Sequence, residues 1–196
     1  MIQDFFVLRK EKIDSVFFDF DGVVVDSVGI KTEAYADLFK EFGNEAVDCI
    51  LEYHRSNGGI DRYKKIEYVL NFMKVEYDSS LVERLASDFA SLVVEKVVKC
   101  DLLPGISELL TDLSQSSIRS FVVSGTPEEE LRYITKEKKL NDFFLEVCGS
   151  PKSKVEITGN LIRNYDINPS RSLFIGDAVG DFETASRFGI LFLGVS

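Results

Sequence analysis

Five short stretches of the chain are almost continuously apolar: SVFFDF (15–20), RSFVVSG (119–125), FFLEVCGS (143–150), SLFIGD (172–177) and ILFLGV (190–195). Unbroken hydrophobicity, as opposed to strict alternation, is expected of parallel strands covered on both faces, so these runs predict strands lying centrally in a sheet. Between the later runs the apolar period changes to that of a helix. Ile106, Leu109, Leu110 and Leu113 share one helical face, and helical patterns follow over Pro127 to Lys139, Val155 to Tyr165 and Val179 to Phe188. From residue 105 onward strand and helix alternate, which predicts a Rossmann-like, doubly wound α/β parallel sheet with right-handed crossovers.

Residues 28–100 break this rhythm. Tyr35, Leu38, Phe39 and Phe42 form one helical stripe, Ile66, Val69, Leu70 and Met73 a second, and Leu81, Leu85, Phe89 and Leu92 a third, with no convincing strand among them. So many consecutive helices would have no strand to pack on within a single layer. The pattern therefore predicts an all-α cap over 28–100, inserted after the first strand, and a core assembled from 1–27 and 101–196. No internal repeat or low-complexity segment interrupts either part.

Composition narrows the function classes. The 196 residues are 45% hydrophobic and include sixteen Phe, enough apolar surface for one domain with an inserted subdomain. A net charge of −10 disfavours nucleic acid or an anionic membrane as partner. Cys49, Cys100 and Cys148 are odd in number, widely spaced and without a C-x-x-C pair, as expected of free thiols in a reducing compartment. His54 is the sole histidine, which removes a histidine metal cluster or proton relay from consideration. The opening MIQDFFVLRKEK places its apolar patch before its charges, the wrong order for a signal peptide, and no run is long enough to span a membrane. A soluble, cytoplasmic protein is the expectation.

Candidate chemistry gathers at the strand ends. Asp19 and Asp21 close the first run, and in extended backbone residues two apart point to the same side. Gly22 next to them allows a tight turn with an exposed amide. Two carboxylates facing one point repel unless a hard cation or a shared proton lies between them. Asp177 and Asp181, in GDAVGDFETA, add oxygen ligands at a helix start, and four carboxylates without histidine suit Mg2+ better than zinc. Taken singly, Asp177 and Asp181 could be helix caps; their convergence with Asp19 and Asp21 at the carboxyl edge of the sheet favours a site. Asp26 and Ser27 precede a helical stripe and are assigned to its N-cap. Ser124 and Gly125, in VVSGT, offer a hydroxyl and an amide for phosphate oxygens. Lys152 and Lys154 stand at the same edge, where an anionic intermediate needs a cation.

These pieces together resemble the haloacid dehalogenase superfamily of phosphotransferases, whose pattern is D-x-D-G on the first strand, Ser or Thr on the second, a Lys, then G-D followed by another Asp. Here they read DFDGVVVDS, VVSGT, SPKSK and GDAVGDFETA, in order over residues 16–185. The resemblance implies Asp19 as nucleophile toward a phosphomonoester and Asp21 as general acid and base. It also implies magnesium held by Asp19, the Asp21 carbonyl and Asp177 with Asp181 in support, and phosphoryl oxygens held by Ser124, Gly125 and a lysine. Lys154, which opens the following helix, is preferred over Lys152. The second aspartate of D-x-D argues for phosphate chemistry over carbon–halogen cleavage. The inserted helices resemble the cap of the phosphoglycolate phosphatase and β-phosphoglucomutase branch, where a GGI-x-R-Y-x-K stretch would make Arg62 a contact for a second anionic group of the substrate, with Lys65 one turn on. The expected activity is a Mg2+-dependent phosphatase acting on a small phosphorylated metabolite. A phosphosugar mutase with the same core site is the nearest alternative, ahead of a receiver-type signalling domain or a non-catalytic phospho-binding protein.

Overall fold

The structure is a computed structural model that describes residues 13–195; the N-terminal segment read above for a leader lies outside the described residues. Five strands form one parallel sheet: β1 (Ser15–Phe18), β2 (Arg119–Pro127), β3 (Glu146–Ser150), β4 (Ser172–Gly176) and β5 (Leu191–Gly194), in the order β3-β2-β1-β4-β5. The chain builds outward from β1 to β3, then returns across the sheet to β4 and continues to β5. That reversal makes the β1/β4 junction the topological switch point, and in such sheets the ligand crevice opens beyond the carboxyl ends of the strands there.

The apolar runs are continuous because both faces are covered. Val16 and Phe18 pack to one side with Val122, Leu173 and Ile175, against helices α5 (Ile106–Gln115) and α6 (Glu128–Glu137). Phe17 points the other way with Phe121 and Phe174, against α7 (Lys154–Asn164) and α8 (Val179–Phe188). Its ring stacks on both neighbours across the sheet, with centroids 5.4 Å from Phe121 and 6.1 Å from Phe174.

Two expectations are corrected. The third run begins its strand only at Glu146, because Asn141–Phe143 makes a short 3-10 turn and Leu145 is exposed. β3 and β5 are edge strands, not central ones, and β5 is only partly buried.

Residues 28–99 fold into four helices, α1 (Val28–Phe39), α2 (Asn44–Ser56), α3 (Arg62–Phe72) and α4 (Ser79–Lys99). Their inward stripes meet as Ala34, Tyr35, Phe39, Ile50, Ile66, Val69, Leu70, Val82, Leu85 and Phe89. This apolar cluster is continuous with the one on the Phe18 face of the sheet, so the helices share a core with the sheet as well as with each other. No helix is long and apolar enough to cross a membrane among the described residues, and all three cysteines are free.

Because Phe17 fills the centre of one sheet face, Phe17→Ala is expected to lower unfolding stability by about 3–5 kcal/mol, read from the urea midpoint at unchanged slope.

Candidate active site

The switch point is where the chain turns polar. β1 ends at Phe18, but the Asp19 N–H still donates to Ile175 O on β4 at 2.9 Å, so Asp19 leaves the sheet with its backbone anchored. The chain then folds sharply: the Val24 and Val25 N–H groups donate to Phe20 O, and the Gly22 N–H donates to Val25 O at 2.9 Å. Gly22 has φ +78°, and a Cβ there would lie 2.3 Å from Asp177 Oδ2. Glycine is required on both counts, and its missing side chain lets the β1 and β4 loops touch. The Gly22 amide, expected to be exposed, is instead used by the turn.

Asp19 is 3% exposed. Its Oδ1 accepts from the Phe20 N–H at 2.7 Å and from Lys154 Nζ at 2.9 Å. Lys154 also donates to Asp181 Oδ1 at 2.6 Å, and Asp181 Oδ2 accepts from the Ala178 N–H at 3.2 Å. Lys152 is exposed on the preceding loop, and the ion pairs to both carboxylates are made by Lys154. A reciprocal capping box explains the difference between the lysines. Ser153 Oγ accepts from the Glu156 N–H at 3.2 Å while Glu156 Oε2 accepts from the Ser153 N–H at 2.8 Å, which starts α7 at Lys154 and aims that residue at the strand ends.

One oxygen from each of Asp19, Asp177 and Asp181 lies within 4.8 Å of the other two. Burial pushes the Asp19 carboxyl up to about 8; Lys154 opposes this, while Asp181, Asp21 and Asp177 add to it. Asp177 is also pushed up, by burial and by Asp181. Burial works against the Lys154 charge, yet Asp19 and Asp181 outweigh it and hold the ammonium protonated well above its ordinary range. The donor set is all carboxylate, which suits a hard divalent cation such as Mg2+, and mutual repulsion of buried carboxylates is the stress such a cation relieves.

Asp21 stands apart. Expected among the metal-binding carboxylates, its side chain lies outside that trio. Oδ1 accepts from the Ser27 hydroxyl at 2.6 Å, and Oδ2 from Thr126 Oγ1 at 2.9 Å and from Lys31 Nζ at 2.5 Å. Burial disfavours the Asp21 charge, but Lys31 and the three hydrogen bonds overcome it and set the carboxyl below its usual range. Ser27 stands at the N-cap position, as its place in the sequence suggested, but does not cap through its side chain. Its backbone is near-helical (φ −116°, ψ −5°), its hydroxyl makes no cap hydrogen bond, and the side chain is consumed by Asp21, while Asp26 is exposed.

Ser124 is buried at the carboxyl end of β2, where its Oγ accepts from the Thr126 N–H at 3.1 Å. Gly125 is covered by the loop between α2 and α3: a Cβ on Gly125 would lie 2.3 Å from Gly59 O, and one on Gly59 would lie 2.9 Å from Lys154 Nζ. Glycine against glycine thus seats the cap loop directly on the core site.

Arg62, expected to reach a second anionic group, is already engaged. Its guanidinium makes a forked pair with Glu130 at the start of α6 (Nη1–Oε1 3.0 Å, Nη2–Oε2 2.5 Å), donates to Ala86 O at 3.1 Å and lies 4.9 Å above the Phe89 ring. It ties α3 to α6. The sequence reading missed Lys31 and Thr126; both join Asp21 only through folding, and no local spacing marks them.

A cavity of about 240 Å³ is lined by Asp19, Asp21, Ser124 and Asp177 from the core and by Lys31, Tyr35, His54 and Lys65 from the cap. With this geometry established, comparison with known proteins identifies the family. The pattern of the haloacid dehalogenase-like hydrolases matches residues 16–195, and the chain belongs to that family. It is 22% identical over 186 residues to the phosphoglycolate phosphatase of Pseudomonas putida and 26% identical over 188 residues to that of Pseudomonas syringae pv. tomato. Each match covers 92% of this chain and 68% of the relative. Among solved structures, the β-phosphoglucomutase of Clostridium difficile superposes with a TM-score of 0.79 at 22% identity, over 94% of this chain and 85% of that one.

Glu130→Gln leaves the buried Arg62 without its countercharge, so thermal or urea unfolding is expected to show a loss of about 2 kcal/mol, less than for a fully buried pair because Glu130 is partly exposed.

Proposed function

We propose that this hydrolase is a Mg2+-dependent phosphatase that cleaves a small phosphomonoester through an aspartyl-phosphate. The observation that carries the reading is the placement of Asp19: a buried carboxylate at the switch point, held by Lys154 and grouped with Asp177 and Asp181. Asp19 attacks phosphorus, the P–O bond to the ester carbon chain breaks, and the departing alkoxide takes a proton from the Asp21 carboxyl. In the second half a water gives its proton to Asp21 and attacks the same phosphorus. The Asp19–phosphorus bond then breaks, releasing inorganic phosphate.

The two carboxyls divide the work by environment, as paired acid and base groups do. Asp21, held ionised by Lys31, is set for the proton-accepting half. A phosphoryl dianion beside it opposes the pull of Lys31 and favours the proton that the first half needs. Lys154 and Ser124 stand where phosphoryl oxygens need cation and hydroxyl. Asp19, Asp177 and Asp181 would hold Mg2+, which supplies positive charge between nucleophile and phosphate. The small cavity suits a compact metabolite better than a nucleotide or a polymer. The phosphoglycolate phosphatases among the relatives support this class of substrate.

One observation favours a second reading, a phosphosugar mutase: the Gly58–Gly59 loop lies on Gly125, Lys154 and Ala178, closing the site in the way that excludes water. The likeness to a β-phosphoglucomutase fits the same idea.

Inorganic phosphate release from a panel of small phosphomonoesters is expected to require magnesium and to fall at least about a thousandfold in Asp19→Asn. Isomerised sugar phosphate without phosphate release would select the mutase, and release undiminished in Asp19→Asn would overturn both readings. Asp177→Asn is expected to raise the magnesium needed for half-maximal rate by about tenfold or more.

A further inference from the structure

Apart from the active-site cavity, α2 and α3 together form a groove of about 610 Å³. Ala46 and Ile50 on α2 are buried in the core, so the groove residues occupy the other side of that helix. Part of its lining is aromatic. Tyr53 on α2 and Tyr68 on α3 stack with ring centroids 3.8 Å apart and planes 14° from parallel, and Phe72 stands one turn beyond Tyr68. Tyr68 is 43% exposed and Phe72 49%, so two large rings stand open to solvent beside each other.

The charged part of the lining is wholly acidic. Glu45, Asp48 and Glu52 line the groove, no Lys, Arg or His among the described residues does so, and none of the three carboxylates makes an ion pair among the described residues. Residues three and four apart are neighbours on a helix, so these acids form a column along α2 and weaken the helix that carries them. Elsewhere Asp61, Glu95 and Glu128 each have a cation within reach. Cys49, also in the groove, registers the negative field: burial, then the Glu52 and Glu45 charges, push its thiol up.

Open aromatic rings beside unpaired carboxylates fit an occupant that is both apolar and cationic. A second copy seated through the same face would set two acidic columns against each other. An anionic membrane or a nucleic acid meets the same repulsion. A small cation would neutralise the column but leave Tyr68 and Phe72 uncovered. We propose that the groove is a docking site for a basic amphipathic helical segment of a partner protein, with its apolar side chains on Tyr68 and Phe72 and its Lys or Arg side chains beside Glu45, Asp48 and Glu52. The surface is independent of the phosphatase reading.

The probe is a helical peptide with leucine along one face and arginine at one-turn intervals beside it, compared with a shuffled peptide of the same composition. Calorimetric titration into the full chain at physiological ionic strength is expected to show the ordered peptide binding about tenfold or more tighter than the shuffled one. Phe72→Ser, and separately the triple variant Glu45→Gln, Asp48→Asn, Glu52→Gln, are each expected to weaken it about tenfold. All four side chains are exposed, so these variants keep the fold. Removing three other exposed charges, Glu83→Gln, Asp88→Asn and Glu108→Gln, is expected to change affinity less than about twofold. The bound peptide is also expected to slow alkylation of Cys49 while leaving Cys100 and Cys148 unaffected. No binding of the ordered peptide, equal binding of the shuffled one, or an equal loss in the control triple overturns the proposal. Displacement of the peptide by an equal concentration of spermine would make the groove a small-cation site, and a dimer abolished by Phe72→Ser would make it a contact between copies; either result overturns it as well.

Discussion

The Lys154 ammonium, wedged between Asp19 and Asp181, is the contact on which the rest of the site depends. Three loops that are distant in sequence meet there: the exit of β1, the β3–α7 connection and the β4–α8 connection. A lysine at the first residue of a helix opposes the helix dipole, and three carboxylates in one place repel. Each of these unfavourable placements offsets the other. Deleting Lys154 would leave two buried carboxylates without their countercharge, which costs more than the pair contributes. The same crowding explains the glycines: a Cβ on Gly176 would lie 2.4 Å from Asp181 Cβ, and one on Gly22 would meet Asp177.

An acidic chain can still gather several cations at one edge. With a net charge of −10, most of the surface repels a phosphate ester. Around the cavity, by contrast, Lys31, Arg62, Lys65 and Lys154 come together from two different parts of the chain. Three of the four are also ties. Lys31 joins α1 to Asp21 and to Thr126 on β2, Arg62 joins α3 to α6, and Lys154 joins α7 to β1 and α8. Closure of the helical unit on the sheet and assembly of the electrostatic site are therefore one event, built on the shared apolar core beneath them.

What the sequence disclosed follows from which interactions are local. Continuous runs such as VFF and LFI report burial on both faces, and aspartates at their ends report the carboxyl edge, so the parallel sheet and the positions of Asp19 and Asp177 were legible. Lys154 was legible for a local reason as well, since Ser153 and Glu156 make a capping box that starts the helix at that residue. Partnerships across the fold left no such trace. Ser27 has the composition of a cap and serves Asp21; Arg62 has the spacing of a substrate contact and serves Glu130; Lys31 and Thr126 acquire their roles only when α1 and β2 converge on one carboxylate. The boundary at Glu146 was hidden for a different reason, because Phe143 and Phe144 are as apolar as a strand but belong to a turn packed against the core.

Asp19 and Asp21 are two residues apart and chemically opposite, and the backbone explains why. After Asp19 the chain gives up the sheet, and the Gly22 turn carries Asp21 toward the helical unit, where Lys31, Ser27 and Thr126 all donate to it. Asp19 stays among carboxylates, balanced by a lysine that it must share with Asp181. One carboxyl is thus saturated with donors and held below its usual range, while burial pushes the other up to about 8 against the pull of Lys154. A further cation among Asp19, Asp177 and Asp181 would favour the ionised form of Asp19 without disturbing Asp21. Metal dependence on that reading is not an addition to the site. The fold spends its protein cations elsewhere: on Asp21, on Glu130 and on the wall of the cavity.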